Sequence, residues 1–387
     1  MSLKNLLALL LLSICAFITV STEFTPLGIM STMSSDLQAQ ESQIGFSVTI
    51  YAWVGTAVAL ITPLLFGRIN RKIFLTLILM LIGFANFITA MSESIMTLYI
   101  ARFIGGFANG AFLSLLAVTA CLLVQNNIRA KATAIVFLGV SFASSFCVPI
   151  VNILNNYFHW REIYTGLSIV AICSAAGLLL LIPAIKEPVS TKSKQHLFHS
   201  FRQPNILALL IIASCTITAH FTIYSFIQPW LSNTLHLGEA SISMLLLCFG
   251  LAGFISNMLL TKYIDTYLRN IIMYAIQTIA TVLLLFILYN FISLELILYI
   301  LFFVWGASIS SLIVCFQAFV IQLATDHVEN AVAIYVSIFN TSIGLGALLG
   351  SFLIQHIGIY LTMGICCGIL FIAFIAFRKR FIMLSKI

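Results

Sequence analysis

The sequence predicts an all-α integral membrane protein, with twelve transmembrane helices arranged as two bundles of six. Three observations support this prediction: the composition, the number of long apolar stretches, and one long polar stretch near the middle of the chain. Of the 387 residues, 61% are hydrophobic and 7% are charged, and the mean hydropathy is +1.14. Soluble domains carry about 25% charged residues. A surface with so few charges must therefore face mainly lipid.

The apolar stretches are long enough to form transmembrane helices, each of which needs about 20 residues. Lys4 precedes the first stretch, as in a secretory signal. We nevertheless predict a retained helix, because no small-residue cleavage motif comes before Glu23 and Pro26. The twelve stretches lie near 5–30, 43–66, 73–91, 95–124, 132–156, 163–185, 205–230, 241–261, 271–291, 296–323, 330–355 and 358–377.

The longest polar stretch, 186–204, contains two prolines and separates two sets of six apolar stretches. We therefore predict an N-terminal six-helix bundle over 1–185 and a cytoplasmic linker over 186–204. A C-terminal six-helix bundle with a short basic tail follows over 205–387. Two similar bundles around a central cavity are typical of transporters that are built from internal repeats.

The basic residues predict the orientation of the chain in a bacterial inner membrane, because Lys and Arg are enriched in cytoplasmic loops. With the N-terminus inside, Arg161 falls on the opposite side and Arg102 falls within a helix. Both termini are therefore predicted to be cytoplasmic. The other sixteen of the eighteen basic residues fall inside: Lys4, Arg68, Arg71, Lys72, Arg129, Lys131, Lys186, Lys192, Lys194, Arg202, Lys262, Arg269, Arg378, Lys379, Arg380 and Lys386.

The sequence lacks the motifs of an enzyme or of an ATP-driven pump. It contains no phosphate-binding loop, no paired-histidine metal motif and no serine nucleophile motif. The nine cysteines lie within apolar stretches without metal-ligand spacing, so we interpret them as packing residues rather than a disulfide framework. We expect no cofactor and no metal. The expected partners are a small-molecule substrate, protons and membrane lipid, with no nucleic acid, and the chain is expected to be a monomer.

Three ionisable residues fall inside predicted helices, where a charge costs about 2.5–3.5 kcal/mol on insertion scales. They are Glu23, Arg102 and, when protonated, His220. A carboxyl group in apolar surroundings can exchange a proton near neutral pH, so Glu23 is the first candidate for proton coupling. Arg102 and His220 are further candidates. Each also has a purely structural interpretation. Glu23 would then be a hydrated carboxylate near the outer interface, Arg102 would hold two helices together, and His220 would be a hydrogen-bonded core residue.

Polar and aromatic residues in four predicted helices are candidates for substrate binding. In the seventh helix, polar residues recur every four positions and should form a stripe on one face that lines a cavity. Rings stack on the C–H faces of sugars and amides pair with hydroxyls, although aromatic residues are also common in membranes. The candidates are Thr216, Tyr224 and Gln228 of the stripe, with His220 between them, Asn340 in helix 11, Tyr51 and Trp53 in helix 2, and Asn109, Phe112 and Ser114 in helix 4.

Five segments carry a family resemblance that preserves their order along nearly the whole chain. They are T-E-F-T-P-L-G at 22–28, T-I-Y-A-W at 49–53, L-Y-I-A-R-F-I-G-G-F-A-N-G-A at 98–111, T-A-H-F-T-I-Y-S-F-I-Q-P at 218–229 and I-F-N-T-S-I-G-L-G-A-L-L-G at 338–350. Together they resemble the bacterial sugar efflux transporters of the SotB type, in the drug:proton antiporter branch of the major facilitator superfamily. The resemblance implies the major facilitator fold and export of arabinose-type sugars and galactosides, driven by inward proton flow.

The chain departs from this family at positions near the expected cavity. Gln228 stands where the resemblance leads us to expect a glutamate, and Asn109 stands where it leads us to expect a histidine. These departures leave the predicted fold unchanged and leave the substrate open. The alternatives are a drug or nucleoside exporter of the same branch, or a membrane sensor that binds its ligand without moving it. An intramembrane enzyme is a weaker alternative, because no pairing of nucleophile and base is visible.

Overall fold

The computed structural model describes residues 3–65, 70–125, 128–183, 203–260, 263–289, 295–324 and 328–383. In these residues the regular structure is helical. The helices are α1 (Leu3–Gly28), α2 (Met30–Asp36), α3 (Glu41–Leu65), α4 (Arg71–Ala90), α5 (Ile95–Leu122), α6 (Arg129–Asn155), α7 (Trp160–Leu181), α8 (Pro204–Tyr224), α9 (Ile227–Pro229), α10 (Glu239–Leu260), α11 (Ile264–Leu288), α12 (Glu295–Leu323), α13 (Val328–Ile357) and α14 (Ile359–Phe377).

The described part of the chain contains twelve helices that are long and apolar enough to cross a membrane. They are all of the helices above except the short α2 and α9. The predicted fold class and the predicted twelve spans are therefore confirmed, and the chain is a multi-pass membrane protein. The observed ends lie within a few residues of most predicted ones, since apolar length sets how far each helix extends.

The chain divides into two compact units, Met1–Ser190 and Thr191–Ile387. Residues 186–202 of the predicted linker lie outside the described residues, so the predicted bounds of the bundles stay a prediction. Several basic residues that determined the predicted orientation also lie outside the described residues. These are Arg68, Lys186, Lys192, Lys194, Arg202, Lys262 and Lys386.

In the first unit the helices pack mainly as three pairs: α3 on α5, α1 on α6, and α4 on α7. The pair α3 and α5 approaches closely because small residues face each other. A Cβ atom added to Gly106 would lie 2.5 Å from the carbonyl oxygen of Tyr51, and one added to Gly110 would collide with the backbone of Gly55. Close backbone approach at small residues is a common means of helix packing in membranes.

The second unit repeats this arrangement with α10 on α12, α13 on α8, and α11 on α14. Here a Cβ atom on Gly306 would collide with the carbonyl oxygen of Phe249, and one on Gly253 would collide with Ser310. The contacts of Gly106 with Tyr51 and of Gly306 with Phe249 are therefore equivalent in the two units.

The seventh predicted span is broken, which corrects the prediction of one helix over 205–230. Helix α8 ends at Tyr224, and a short helical turn, α9, follows at Ile227–Pro229. Pro229 has no N–H for the carbonyl of Ser225, and its ring clashes with that carbonyl in a continuous helix. Gln228 consequently lies beyond the end of α8, so the predicted four-residue stripe is continuous only from Thr216 to Tyr224.

Candidate functional site

A proline in α1 creates a carbonyl without a helical donor, and an arginine from another helix occupies it. Pro26 lies inside α1 and has no N–H for the carbonyl oxygen four residues earlier, that of Thr22. The Nη1 atom of Arg102 donates to this oxygen at 2.6 Å, and its Nη2 atom donates to the Glu23 carbonyl at 2.9 Å. Arg102 therefore replaces an amide donor that the helix lacks.

Arg102 is almost completely buried, and its remaining contacts come from α3. Its Nε atom donates to the Ser47 carbonyl at 3.5 Å, and its guanidinium carbon lies 4.3 Å from the centre of the Tyr51 ring. The Tyr51 hydroxyl in turn donates to the carbonyl of Thr19 at 3.1 Å. A cation over an aromatic face is stabilised by the ring electrons. Arg102 and Tyr51 thereby connect α1, α3 and α5 at one level.

The Glu23 side chain is 4% exposed and accepts a hydrogen bond from Asn109. The Asn109 Nδ2 atom lies 3.2 Å from Glu23 Oε2. The hydrogen bonds of Arg102 go to backbone carbonyls rather than to this carboxyl group, although the two groups lie within electrostatic range. The first unit thus brings together a buried carboxyl group, an amide donor and a buried guanidinium.

Several buried polar atoms near this site have no hydrogen-bond partner among the described residues. They include the hydroxyl of Tyr164, which lies within electrostatic range of Arg102, and the Oδ1 atom of Asn109. Asn86 donates to Thr22 Oγ1 at 3.0 Å, while its own Oδ1 atom has no partner among the described residues. The hydroxyls of Ser21 and Ser47 likewise have no partner in the described part of the chain. Buried polar groups are normally hydrogen-bonded, often to ordered water, so this region is built to hold water or a polar ligand.

In the second unit, His220 lies among aromatic rings. Its ring is stacked on that of Tyr224, with centres 5.2 Å apart, and on that of Phe249 at 6.3 Å. The Trp305 ring meets it edge-on at 5.2 Å. The Nδ1 atom of His220 has no partner among the described residues. His220 therefore lies in a separate unit from Glu23, within an aromatic cluster.

The other predicted substrate residues lie in varied surroundings. Phe112 is part of the hydrophobic core of the first unit, and Ser114 donates to the carbonyl of Ala111 in its own helix. Trp53 is 40% exposed. In the second unit Thr216 donates to the Ile212 carbonyl, while Gln228 is buried and Asn340 is half-buried. Their roles in binding stay predictions.

The one basic residue that was predicted on the outer side, Arg161, is paired. It forms an ion pair with Asp36 and donates to the Ser92 carbonyl at 2.9 Å. Trp160 also donates to Asp36, and Arg161 lies over the Trp160 ring. The charge of Arg161 is therefore offset by a partner at the same end of the first unit. This pairing explains why one basic residue lies on the side opposite to the other Lys and Arg residues.

A groove of about 610 Å³ opens between α10, α11 and α12 and is lined by residues that include Tyr263, Tyr267 and Tyr274. None of the predicted site residues lines it. In the part of the chain that the structure describes, no group of three or more His, Cys, Asp or Glu residues is placed to hold a metal ion.

Two spans of the chain match one family model, described as Major Facilitator Superfamily, over residues 12–230 and 209–382. The chain belongs to the Major Facilitator Superfamily. Members of this superfamily are transporters, so the chain is a membrane transporter of some small-molecule substrate. Its family membership indicates transport rather than enzymatic catalysis.

Solved structures of other members of the superfamily share the fold at low sequence identity. One is a bacterial homologue of the human lysosomal transporter Spinster, with TM-score 0.73, 13% identity and 98% of each chain covered. Another is the nucleoside transporter NupG, with TM-score 0.71, 18% identity, and 99% of this chain and 100% of that chain covered. Identities this low show the fold alone.

The site residues that we predicted from the sequence did not include Asn86, Tyr164 or Trp305. Asn86 and Tyr164 lie on helices that carried no predicted site residue. Trp305 directly precedes Gly306, which is the counterpart of Gly106 in the first unit. An alignment of the sequence around Gly106 with the sequence around Gly306 would have identified Trp305.

Proposed function

We propose that this chain is a proton-coupled exporter, an antiporter, of small sugars such as arabinose and galactosides. The observation that carries the proposal is the position of Glu23. Among the described side chains it is the only buried carboxylate, and it lies beside a buried guanidinium and an amide donor. The sequence resemblance to sugar efflux transporters of the SotB type supports the substrate class. The proposed location is the bacterial inner membrane, with both termini cytoplasmic and the chain a monomer.

The proposed coupling depends on the cost of charge in a buried site. An ionised Glu23 needs hydrogen-bond donors and a nearby cation, and Asn109 and Arg102 supply one of each. The ionised carboxylate can also accept a hydrogen bond from a substrate hydroxyl, and protonation removes that charged acceptor. Protonation from outside would then release substrate, and loss of the proton inside would prepare the site for the next one. Proton and substrate binding oppose each other, as linkage requires for an exchanger.

Arg102 has a positioning role in this proposal. Because it donates to the carbonyls of Thr22 and Glu23, it fixes the backbone of α1 where the coupling carboxyl group is attached. His220 is the next candidate for carrying the proton if Glu23 does not. Tyr51, Trp53, Asn109, Phe112 and Ser114 of the first unit, and Thr216, Tyr224, Gln228 and Asn340 of the second, stay the proposed substrate residues.

The experiment is uptake of radiolabelled arabinose into inverted membrane vesicles, with and without a pH gradient that is acidic inside. We expect accumulation that needs the gradient, and we expect Glu23→Gln to abolish it, because glutamine resembles the protonated form and cannot release a proton. The matched control is Glu93→Gln, an exposed carboxyl group in the first unit that should leave accumulation unchanged.

Three other outcomes contradict the proposal and separate its alternatives. Gradient-driven accumulation of a nucleoside or a cationic drug instead of arabinose indicates a different exporter of the same branch. Binding of arabinose without uptake indicates a sensor. Accumulation that survives Glu23→Gln shows that another group, with His220 first in order, couples transport to protons.

A further inference from the structure

The second unit contains an aromatic cluster centred on Trp305, which we call the Trp305 cluster. The Trp305 ring contacts five other rings, with centres between 5.1 and 5.9 Å away. These five rings belong to His220, Tyr224, Phe249, Phe286 and Phe302. They come from helices α8, α10, α11 and α12, so a single side chain contacts rings from most of the unit.

The Trp305 cluster occupies the position that the Arg102 site occupies in the first unit. Gly106 packs on the Tyr51 carbonyl, and Gly306 packs on the Phe249 carbonyl. By this register Phe249 is the counterpart of Tyr51, and Trp305 is the counterpart of Gly105. A Cβ atom on Gly105 would lie 2.8 Å from the Tyr51 ring, so the first unit uses a glycine to admit that ring. The second unit fills the equivalent position with an indole.

Two neighbouring rings of this cluster, with centres 5.2 Å apart, each carry an unsatisfied polar atom. The Nε1 atom of Trp305 and the Nδ1 atom of His220 have no partner among the described residues. Both side chains are at least nine-tenths buried. An unpartnered buried donor costs about 1–3 kcal/mol. Tyrosine and tryptophan usually place their polar atoms where a partner is available. The Nε1 atom of Trp305 and the Nδ1 atom of His220 therefore indicate a ligand ring that carries polar groups on its periphery.

The chemistry of these atoms selects one class of ligand. An indole N–H is a donor only, so it favours an oxygen acceptor and disfavours a cation in the same place. Aromatic faces bind the C–H faces of rings. Among the described residues, the rings that lie under a guanidinium group are Tyr51, Trp160 and Phe319, and none of them belongs to the cluster. An uncharged ring that carries hydroxyl or carbonyl oxygens satisfies all of these features.

We propose that Trp305 is a specificity-determining residue, which donates a hydrogen bond to an oxygen of an uncharged, hydroxylated ring ligand stacked against the Trp305 cluster. This inference rests on the proposed transport function and adds the side chain that selects the substrate class. Trp305 is fully buried, whereas Tyr224 and Phe249 keep slight exposure.

The test is equilibrium binding of three labelled probes to the purified full chain: arabinose, uridine and tetraphenylphosphonium. We expect arabinose or uridine to bind, and the cation neither to bind nor to compete. Trp305→Phe keeps a ring and removes the N–H, so it should raise the Kd of the bound probe about tenfold, as for the loss of one hydrogen bond.

The matched control is Trp230→Phe, which makes the same change in the same unit. Trp230 is also buried, and its Nε1 atom has no partner among the described residues, but its ring contacts Phe286, with no ring contact to His220 described. We expect its effect on Kd to be less than twofold. If Trp305→Phe does not yield folded protein, His220→Phe replaces it. This variant keeps a ring in the stack and removes the unpartnered nitrogen, and it should weaken the same probe.

The outcomes separate this inference from the proposed function. An uncharged probe whose Kd is unchanged by Trp305→Phe, or changed equally by Trp230→Phe, overturns the role of Trp305 and leaves sugar export standing. Preferential binding of tetraphenylphosphonium overturns the ligand class. If the folded wild-type chain binds none of the three probes, both the inference and the proposed sugar export are overturned.

Discussion

At the scale of single residues, Arg102 shows how one side chain can stabilise a helix that a proline interrupts. Buried arginine in a membrane is usually explained by a carboxylate partner, yet the hydrogen bonds of Arg102 go to three backbone carbonyls. One of them, that of Thr22, lacks a helical donor because of Pro26. The guanidinium of Arg102 therefore lies where the backbone of α1 needs a hydrogen-bond donor.

This relation predicts a coupling between Arg102 and Pro26. Arg102→Leu should lower the free energy of unfolding by about 2–3 kcal/mol, because it leaves buried carbonyls unsatisfied. Adding Pro26→Ala should recover about 1 kcal/mol, because residue 26 then donates to Thr22 as in a regular helix. Thermal unfolding in detergent of the two single variants and the double variant measures the coupling. Strictly additive losses would show that Arg102 does not act as the missing donor.

The residue scale is also where prediction from sequence was weakest. Glu23, Arg102 and His220 were identified because ionisable groups inside apolar stretches are conspicuous. Their partners were not, since Arg102 bonds to residues about 80 positions away in the chain and nothing in the spacing indicates that contact. The unpartnered hydroxyl of Tyr164 was missed for the same reason. A tyrosine near a helix end is ordinary in a membrane sequence.

At the scale of helices, apolar length predicted all twelve spans, and the error came from one proline. Pro229 lies at the end of the seventh predicted span, and a proline normally ends a helix a few residues earlier. Tyr224 and Gln228 match the four-residue period in the sequence, so the pattern favoured a continuous stripe. The steric effect of the proline was stronger than the pattern, and α8 ends at Tyr224.

The helix contact at Gly106 gives a prediction about packing. Gly106→Ala should destabilise the first unit by about 1–3 kcal/mol, because its Cβ atom would overlap the Tyr51 carbonyl and α3 would have to move. Gly166→Ala is the matched control, since no atom lies within 4 Å of a Cβ atom at that position. Thermal unfolding of both variants in the same detergent tests this. Equal midpoints would contradict a close contact between α3 and α5.

At the scale of the whole molecule, the two units share a helix arrangement and differ in what it contains. The first holds Glu23, Arg102 and Asn109, and the second holds the Trp305 cluster. Composition and hydropathy predicted two bundles. They did not predict this difference, because it depends on which residues of α5 and α12 follow equivalent glycine contacts.

The orientation gives a prediction for the entire chain. Both termini should be cytoplasmic, because Lys and Arg accumulate on the side of Lys4 and of Arg378–Arg380. Arg161 should contribute little to orientation, since Asp36 offsets its charge. Fusion of a fluorescent protein and of a phosphatase to the C-terminus tests this. Fluorescence without phosphatase activity is expected, and the reverse result would place the terminus outside.

The equivalent glycine contacts have a consequence for how such a chain can change over evolutionary time. When two units share a helix arrangement, one unit can keep the proposed energy-coupling site while the other unit varies. Substitutions around Trp305 and Phe249 lie in a different packing unit from Glu23 and Arg102, and changes at sites without shared contacts tend to be independent in their effects. Under the proposed roles of Glu23 and Trp305, new substrates can therefore be acquired through the second unit without rebuilding the site that drives transport.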